Sequence, residues 1–296
     1  MNSLRFSKIV SYVELMKPEL TGLSVLSAIC SYFVAWDGVV QAATMFWLAA
    51  GTLLVGGGAG ALNEYFERDY DAHMRRTEKR PIPSGRIAPL AALVFGNVIG
   101  VVGLLTLALF VNILTAFLAA LTLATYLMLY TPLKRVAWWN TLVGAIPGAL
   151  PTLIGWAAAR NEINAGGWIL FAILFAWQIP HFLSLAWMYK KDYARAGFKM
   201  LPVIDDSGRK TSLQIFLSTV FLIALTVFAA WHGLAGFWYL ACAVLLGAGF
   251  LSYAFMFRRS SLANMTSDAN IYSRRVFFAS LVYLPALMVA LVADKI

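Results

Sequence analysis

Charged residues are scarce in this sequence. Only 12% of its 296 residues are Asp, Glu, Lys or Arg, about half the usual ~25%. Disordered chains need low hydropathy and high charge, so this composition excludes them. It also argues against a soluble globular protein, because so few charges could not cover the surface of a chain that is 61% hydrophobic. A membrane protein with several spans remains.

Cysteine and histidine are scarce as well. Cys30 and Cys242 both lie in apolar stretches, and the sequence has three histidines. Two isolated cysteines predict no disulfide framework, and so few Cys and His residues predict no zinc or copper site. We interpret both cysteines as packing residues.

Long apolar segments dominate the sequence instead. A helix that crosses a bilayer core of ~30 Å needs about 20 apolar residues. Nine segments come close to this length, with approximate bounds 20–36, 41–62, 89–111, 113–130, 138–159, 167–189, 212–231, 234–257 and 275–293. The sequence therefore predicts an all-α polytopic membrane protein whose nine transmembrane helices form one bundle. No Arg- and Ser-rich extension precedes the first span, which favours a bacterial inner membrane over an organelle.

The basic residues fall almost entirely on one side of these nine spans. Of the 23 Lys and Arg residues, 21 lie in alternate loops or before the first span, and only Arg160 and Lys295 lie opposite. Because cytoplasmic loops are enriched in Lys and Arg, this bias predicts a cytoplasmic N-terminus and an external C-terminus. It also accounts for the net charge of +9 without a nucleic-acid partner.

Three acidic residues and an amide are aligned where the second span ends. Asn63, Glu67 and Asp71 are spaced four residues apart, and Glu64 lies three residues before Glu67. If the helix continues, all four project within about 100° of one another. Like charges packed this way repel unless a cation lies between them, and oxygen ligands suit Mg²⁺. We therefore predict a metal site on this face; the alternative is a solvated loop that neutralises itself.

Four basic residues follow directly. They are Arg75, Arg76, Lys79 and Arg80. The planar guanidinium of arginine fits phosphate oxygens, and lysine adds a mobile point charge. Acidic and basic groups in one stretch match what a Mg²⁺–diphosphate complex needs.

Further polar residues occur near the end of the sixth span. On one continuous helix, Gln178, His181 and Asp192 share a face about 60° wide. Pro180 is expected to kink or break that helix, and a broken helix at membrane depth tends to line a cavity. The alternative for His181 is an ordinary hydrogen bond between two helices.

The stretch 63–85 resembles the first Asp-rich motif of the UbiA-type intramembrane prenyltransferases. The positions of that motif are filled here by Asn63, Glu67, Tyr70, Asp71, Met74, Arg76, Thr77, Arg80 and Gly85. The resemblance extends over essentially the whole chain and implies that residues 1–296 form one domain of that fold.

A finer resemblance is to the branch of this family that modifies heme. It rests on the stretches 130–135, 140–141, 180–182 and 192–202. The usual second motif of the family has two aspartates four residues apart, whereas here Asp192 is followed by Ala196. The heme branch shares this weaker motif.

This resemblance implies a reaction and a set of site residues. A farnesyl group would pass from farnesyl diphosphate to the vinyl group of heme b, and water would add, giving heme O and diphosphate. Mg²⁺ would bind with the diphosphate. The implied metal ligands are Asn63, Glu64, Glu67, Asp71 and Asp192, and Lys134 joins Asn63, Glu67, Asp71 and Asp192 as implied catalytic residues. The residues implied in binding diphosphate or heme are Arg75, Arg76, Arg80, Tyr130, His181, Lys191 and Lys199.

Other functions stay open on the sequence alone. A related family member would prenylate an aromatic quinone precursor or a chlorin, and would more often carry paired aspartates in the second loop. A transporter would need charged groups at the bilayer midplane, and a non-catalytic heme-delivery factor would not need the acidic face. For the heme enzyme, the resemblance implies an active site facing the cytoplasm and a heme A synthase or terminal oxidase as protein partner.

Overall fold

A computed structural model describes residues 2–38 and 40–296, and nine helices of this part are long and apolar enough to cross a membrane. In chain order the helices are α1 (Asn2–Leu15), α2 (Pro18–Ala35), α3 (Ala42–Asp71), α4 (Pro89–Phe110), α5 (Ile113–Ala124), a π-helical turn (Thr125–Tyr130), α6 (Thr131–Val136), α7 (Asn140–Arg160), α8 (Ala165–Met188), α9 (Lys190–Arg195), α10 (Leu201–Ile204), α11 (Arg209–Trp231), α12 (Phe237–Leu262) and α13 (Thr266–Ala293). The fourth span, Ile113–Val136, comprises α5, the π turn and α6. The predicted all-α bundle is confirmed.

Two spans extend nine residues beyond a predicted end. The predicted second span ends at residue 62, whereas α3 continues to Asp71. The predicted ninth span begins at residue 275, whereas α13 begins at Thr266. Hydropathy marks the part of a helix that crosses the hydrocarbon, and a helix that projects beyond it can carry charged residues. The extension of α3 is the one that carries the acidic face.

Small residues pack α3 closely against its neighbours. A Cβ added at Gly58 would lie 2.7 Å from the carbonyl oxygen of Gly96, and one added at Gly60 would lie 2.9 Å from that of Leu15. Both separations are too short for a real Cβ, so only glycine permits these approaches. The approach at Gly60 places the junction of α1 and α2, including Lys17, beside the acidic part of α3.

The buried apolar residues form two large clusters. One joins α8 to α11, α12 and α13, with Leu183, Ile215 and Phe250 among its fully buried members. The other joins α2, α3, α5 and α7. Large apolar side chains such as Leu109 and Leu245 point outward and are exposed, as expected for surfaces that face lipid.

Candidate active site

A cavity of about 340 Å³ lies between α2, α3, the π turn, α7 and α8. The charged and amide groups on its wall come from Lys17, Asn63, Glu67, Asp71, Arg76, Arg80, Lys134 and Gln178. Its aromatic groups come from Tyr126, Tyr130, Trp177, His181, Phe182, Tyr193 and Phe198. The cavity therefore combines a densely charged surface with an aromatic one.

Most of the predicted site residues reach this cavity. Those that line it are Asn63, Glu67, Asp71, Arg76, Arg80, Tyr130, Lys134 and His181. Those that do not line it are Glu64, Arg75, Lys191, Asp192 and Lys199. Glu64 lies just behind the wall, fully buried, whereas Arg75, Lys191 and Lys199 are exposed.

The acidic face of α3 is buried along its whole length. Asn63, Glu64, Glu67 and Asp71 are each at most 3% exposed. By contrast, the side chain of Asp69 on the opposite face is 77% exposed. The spacing of three and four residues therefore has the predicted consequence, since it places one amide and three carboxyl groups on the inner side of a continuous helix.

Basic side chains neutralise each of these carboxylates. Nη1 of Arg80 donates to Oδ2 of Asp71 at 2.7 Å, and its Nε lies 3.8 Å from Oε1 of Glu64. Nζ of Lys134 donates to both carboxylate oxygens of Glu67, at 2.8 and 3.1 Å. Burial disfavours the charge on Arg80, but Asp71 and Glu64 outweigh that effect and raise its pKa. The acidic face thus forms an extended network of buried ion pairs.

Two carboxylate oxygens in this network have no partner. Oε2 of Glu64 and Oδ1 of Asp71 are buried and accept no hydrogen bond from any described residue. Among residues 2–38 and 40–296, no three His, Cys, Asp or Glu side chains converge closely enough to hold a metal ion as they stand. Unpartnered buried carboxylate oxygens are costly, and they are the donor type that Mg²⁺ prefers. The residues present therefore fit a hard cation that binds together with an anionic ligand.

Lys17 is a member of the site that the sequence did not reveal. Its backbone is left-handed, with φ of 50°, and its Nζ donates to Oδ1 of Asn63 at 2.6 Å. Burial, aided by the charge of Arg80, lowers the pKa of Lys17 to about 8. In the sequence this residue read only as a positive charge preceding the first span.

The loop after α3 folds back so that Arg80 faces Asp71. The hydroxyl of Thr77 donates to the backbone carbonyl of Asp71 at 2.8 Å. Arg86 forms two hydrogen bonds to the Glu14 carboxylate, at 2.6 and 2.9 Å, which tie the loop to α1. Gly85 has φ of 75°, a left-handed conformation that glycine adopts without strain. These contacts explain the Thr and Gly of the motif as residues that shape the loop.

The π turn helps to align three side chains on the cavity wall. Tyr126, Tyr130 and Lys134 all line the cavity, and Nζ of Lys134 lies 4.6 Å from the centre of the Tyr130 ring. A π turn adds one residue to a helical turn and is frequent at functional sites. The insertion was not predicted, and Tyr126 was missed with it.

The second loop differs from the prediction. The sequence predicts a kink or a break at Pro180, but α8 is continuous through Pro180, so the helix does not break there and ends at Met188. Because α9 starts a new helix at Lys190, Asp192 leaves the face shared by Gln178 and His181 and pairs with Arg195 at 3.5 Å. The loop reaches the cavity through aromatic groups instead.

Two of these aromatic groups, Tyr193 and Phe198, border the cavity. The Tyr193 hydroxyl accepts a hydrogen bond from Arg76 at 3.2 Å. The backbone N–H of Lys199 donates to the carbonyl of Lys134 at 2.8 Å, so this loop is fastened to α6. Lys199 contributes through its backbone, which sequence reasoning did not foresee.

A family model describes nearly all of this chain. The model of the UbiA prenyltransferase family matches residues 24–288. The chain belongs to this family. It is therefore a prenyltransferase and a multi-pass membrane protein, in agreement with the charged and aromatic cavity.

Relatives with assigned names match over almost their full length. The chain is 43% identical to a protoheme IX farnesyltransferase of Solibacter usitatus, covering 96% of this chain and 98% of the relative. It is 40% identical to a protein of the same name from Opitutus terrae, covering 98% and 96%.

Solved structures agree with the fold. A digeranylgeranylglyceryl phosphate synthase is similar with a TM-score of 0.79 and 17% identity, covering 97% of this chain and 99% of that one. A UbiA homolog from Archaeoglobus fulgidus bound to GPP and Mg²⁺ is similar with a TM-score of 0.67 and 14% identity, covering 96% and 99%.

Proposed function

We propose that this chain transfers the farnesyl group of farnesyl diphosphate to a vinyl group of heme b, with addition of water, to give heme O and diphosphate. The observation that carries the proposal is the identity of about 40% over almost the entire chain to proteins named protoheme IX farnesyltransferase. The cavity supports it, because a charged wall suited to diphosphate adjoins aromatic walls suited to a prenyl chain and a porphyrin.

Asn63, Glu64, Glu67 and Asp71 would hold Mg²⁺. Their amide and carboxyl oxygens are hard ligands, and two of the carboxylate oxygens have no other partner. When bound, the ion supplies positive charge to the diphosphate oxygens. Asp192 is left out of this set, because it pairs with Arg195 away from the cavity wall.

The basic residues of the wall would stabilise the departing diphosphate. As the bond between the farnesyl carbon and the diphosphate oxygen breaks, its electron pair stays on the diphosphate. Arg76, Arg80 and Lys134 line the cavity at this point, and fixed positive groups at a developing charge supply much of an enzyme's rate enhancement. Arg75, Lys191 and Lys199 are exposed and would attract diphosphate from a distance.

The aromatic wall would stabilise the allylic cation left behind. Tyr130, Trp177 and Phe182 line the cavity, and the faces of aromatic rings attract cations. The π electrons of the heme vinyl group form the new carbon–carbon bond. Positive charge then resides on the carbon next to the porphyrin, where water adds and releases a proton.

The membrane orientation is part of the proposal. Of the 23 basic residues, 21 fall on the side that holds the polar wall, which supports a cytoplasmic active site and N-terminus in a bacterial inner membrane, with an external C-terminus. Residues 1–296 would act as one domain, since the cavity draws on residues from Lys17 to Leu284. A heme A synthase or terminal oxidase would receive the product.

The test is a heme extract from membranes of a host that lacks its own enzyme and expresses this chain. Chromatography with mass detection should reveal a heme that is heavier by a farnesyl group plus water. Asp71→Ala should not yield this heme. Asp69→Ala is its matched control and should yield it, because Asp69 lies on the exposed face of the same helix. Heme b alone, from folded protein supplied with farnesyl diphosphate and Mg²⁺, would contradict the proposal and favour a quinone-type acceptor.

A further inference from the structure

His181 is held rigidly on the cavity wall. Its ring stacks between Trp177, at 4.7 Å between centroids, and Phe277, at 5.0 Å. The other two histidines lie elsewhere: His73 is exposed beside the Asp69 carbonyl, and His232 follows the last residue of α11. Such a fixed ring suits a group that must present one atom in one direction.

The hydrogen bonds around His181 determine which nitrogen carries its proton. The hydroxyl of Ser280 donates to the carbonyl of Phe277 at 2.6 Å. A hydroxyl has one proton, so the oxygen of Ser280 accepts the hydrogen bond from Nδ1–H of His181 at 2.8 Å. Nε2 of a neutral imidazole then keeps its lone pair.

No described residue donates a hydrogen bond to the lone pair of Nε2. Nε2 accepts no hydrogen bond from residues 2–38 or 40–296, and no carboxylate there pairs with the ring. A histidine that only joins two helices would need no more than the Nδ1 hydrogen bond, whereas His181 also lines the cavity. The imidazole nitrogen that binds a metal is typically opposite a ring N–H fixed by a second residue.

We propose that Nε2 of His181 is an axial ligand to the iron of the porphyrin substrate, and that Ser280 is the residue that positions it. The lone pair of Nε2 forms the bond to iron, and neither a proton nor an electron is transferred. Trp177 also helps to position Ser280, because its Nε1–H donates to the backbone carbonyl of Ser280 at 2.8 Å. The inference rests on the proposed function, because iron enters the cavity only with heme b.

Absorption and magnetic circular dichroism spectra of heme b bound to the purified full chain test this ligation directly. The wild type should give the spectrum of imidazole-ligated heme. His181→Phe, which preserves the ring stack, should lose it, and imidazole added to His181→Ala should restore it. His232→Ala is the matched control and should match the wild type.

Ser280 supplies a second readout. Ser280→Ala should weaken heme affinity about tenfold, which is a typical effect of removing the partner of a metal-binding histidine. Ser280→Thr keeps a hydroxyl and should recover most of that loss. Equal affinity of the wild type and Ser280→Ala would contradict the positioning role.

The same preparations separate this inference from the proposed function. If His181→Phe retains the wild-type heme spectrum while the wild type makes farnesylated heme, the ligation is wrong and the proposed function stands. In that case a thioether such as Met74 or Met200, both on the cavity wall, is the next ligand to replace. If the wild type ligates heme through His181 but yields no farnesylated product, the proposed function fails instead.

Discussion

The two loops that border the cavity have similar residues and use them differently. Both carry Asp, Lys and Arg residues after an apolar span. The first loop, with the end of α3, keeps its charges buried: Asp71 is fully buried and pairs with Arg80 at 2.7 Å. In the second loop, the Asp192 side chain is 17% exposed, does not line the cavity and pairs with Arg195 at 3.5 Å, whereas aromatic rings of the same loop border the cavity.

Helix continuity explains the difference. α3 runs unbroken to Asp71, so residues spaced by three and four stay on its inner face. α8 ends at Met188, four residues before Asp192, and the following α9 points its charges elsewhere. In this protein, the predicted charged residues therefore line the cavity where the helix that carries them continues, and Asp192 does not line it because α8 ends first.

The largest effect is expected from removing a carboxylate of the first loop. Asp71→Ala and Glu67→Ala should each lower the rate of prenyl transfer ~1000-fold, because each removes a carboxylate that pairs with a basic residue and that we propose as a Mg²⁺ ligand. Asp69→Ala, on the exposed face, should stay near the wild-type rate. Product formation in membranes measures the effect, with thermal melting to confirm folding; an active, Mg²⁺-dependent Asp71→Ala enzyme would refute the metal assignment.

The ion pair of Glu67 and Lys134 tests whether the buried charges beside the first loop contribute to stability as well as to the rate. Lys134→Met should lower the rate about 100-fold and destabilise the fold by ~3–5 kcal/mol, since it leaves the Glu67 carboxylate buried without a partner. The double variant Glu67→Gln/Lys134→Met should recover most of the stability and remain inactive. Chemical denaturation and product assays separate the two effects. A stable, inactive Lys134→Met single variant would show that the pair is not needed for folding.

Replacing Lys17 should have a smaller effect, on the affinity for farnesyl diphosphate. Lys17→Met removes the donor to Asn63 and one positive charge, so affinity for farnesyl diphosphate should fall about tenfold, or ~1.4 kcal/mol. Binding of a non-hydrolysable farnesyl diphosphate analogue measures it. Unchanged affinity would assign Lys17 to the helix junction alone.

The smallest effect on the rate is expected from replacing Asp192 in the second loop. Asp192→Ala breaks a partly exposed pair worth at most ~1 kcal/mol, so the rate should stay within about threefold of the wild type. A loss comparable with that of Asp71→Ala would overturn the contrast between the two loops. Initial rates at saturating substrate provide the comparison.

Much of this site is predictable because the relevant information is local. The alignment of Asn63, Glu64, Glu67 and Asp71 follows from helical periodicity alone, and the basic residues follow directly in the sequence. Two of the basic partners are not local. Lys17 and Lys134 reach the acidic face from 46 and 67 residues away, through the glycine contacts of α3 and the π turn.

The face predicted for Gln178, His181 and Asp192 depends on where α8 ends. α8 ends at Met188, and the loop that follows is fastened to α6, where the Lys199 N–H donates to the Lys134 carbonyl. Hydrophobic periodicity carries no information about that contact. The predicted face therefore ends before Asp192, and the positions of Tyr193 and Phe198 on the cavity wall were not predicted.

The most direct measurement is the affinity of the purified protein for a non-hydrolysable farnesyl diphosphate analogue, with and without Mg²⁺, in the wild type, Asp71→Ala and Asp192→Ala. The wild type and Asp192→Ala should both bind the analogue more tightly when Mg²⁺ is present, and Asp71→Ala should lose that enhancement. Loss of the enhancement in Asp192→Ala, with Asp71→Ala unaffected, would place the diphosphate on the second loop and contradict the account.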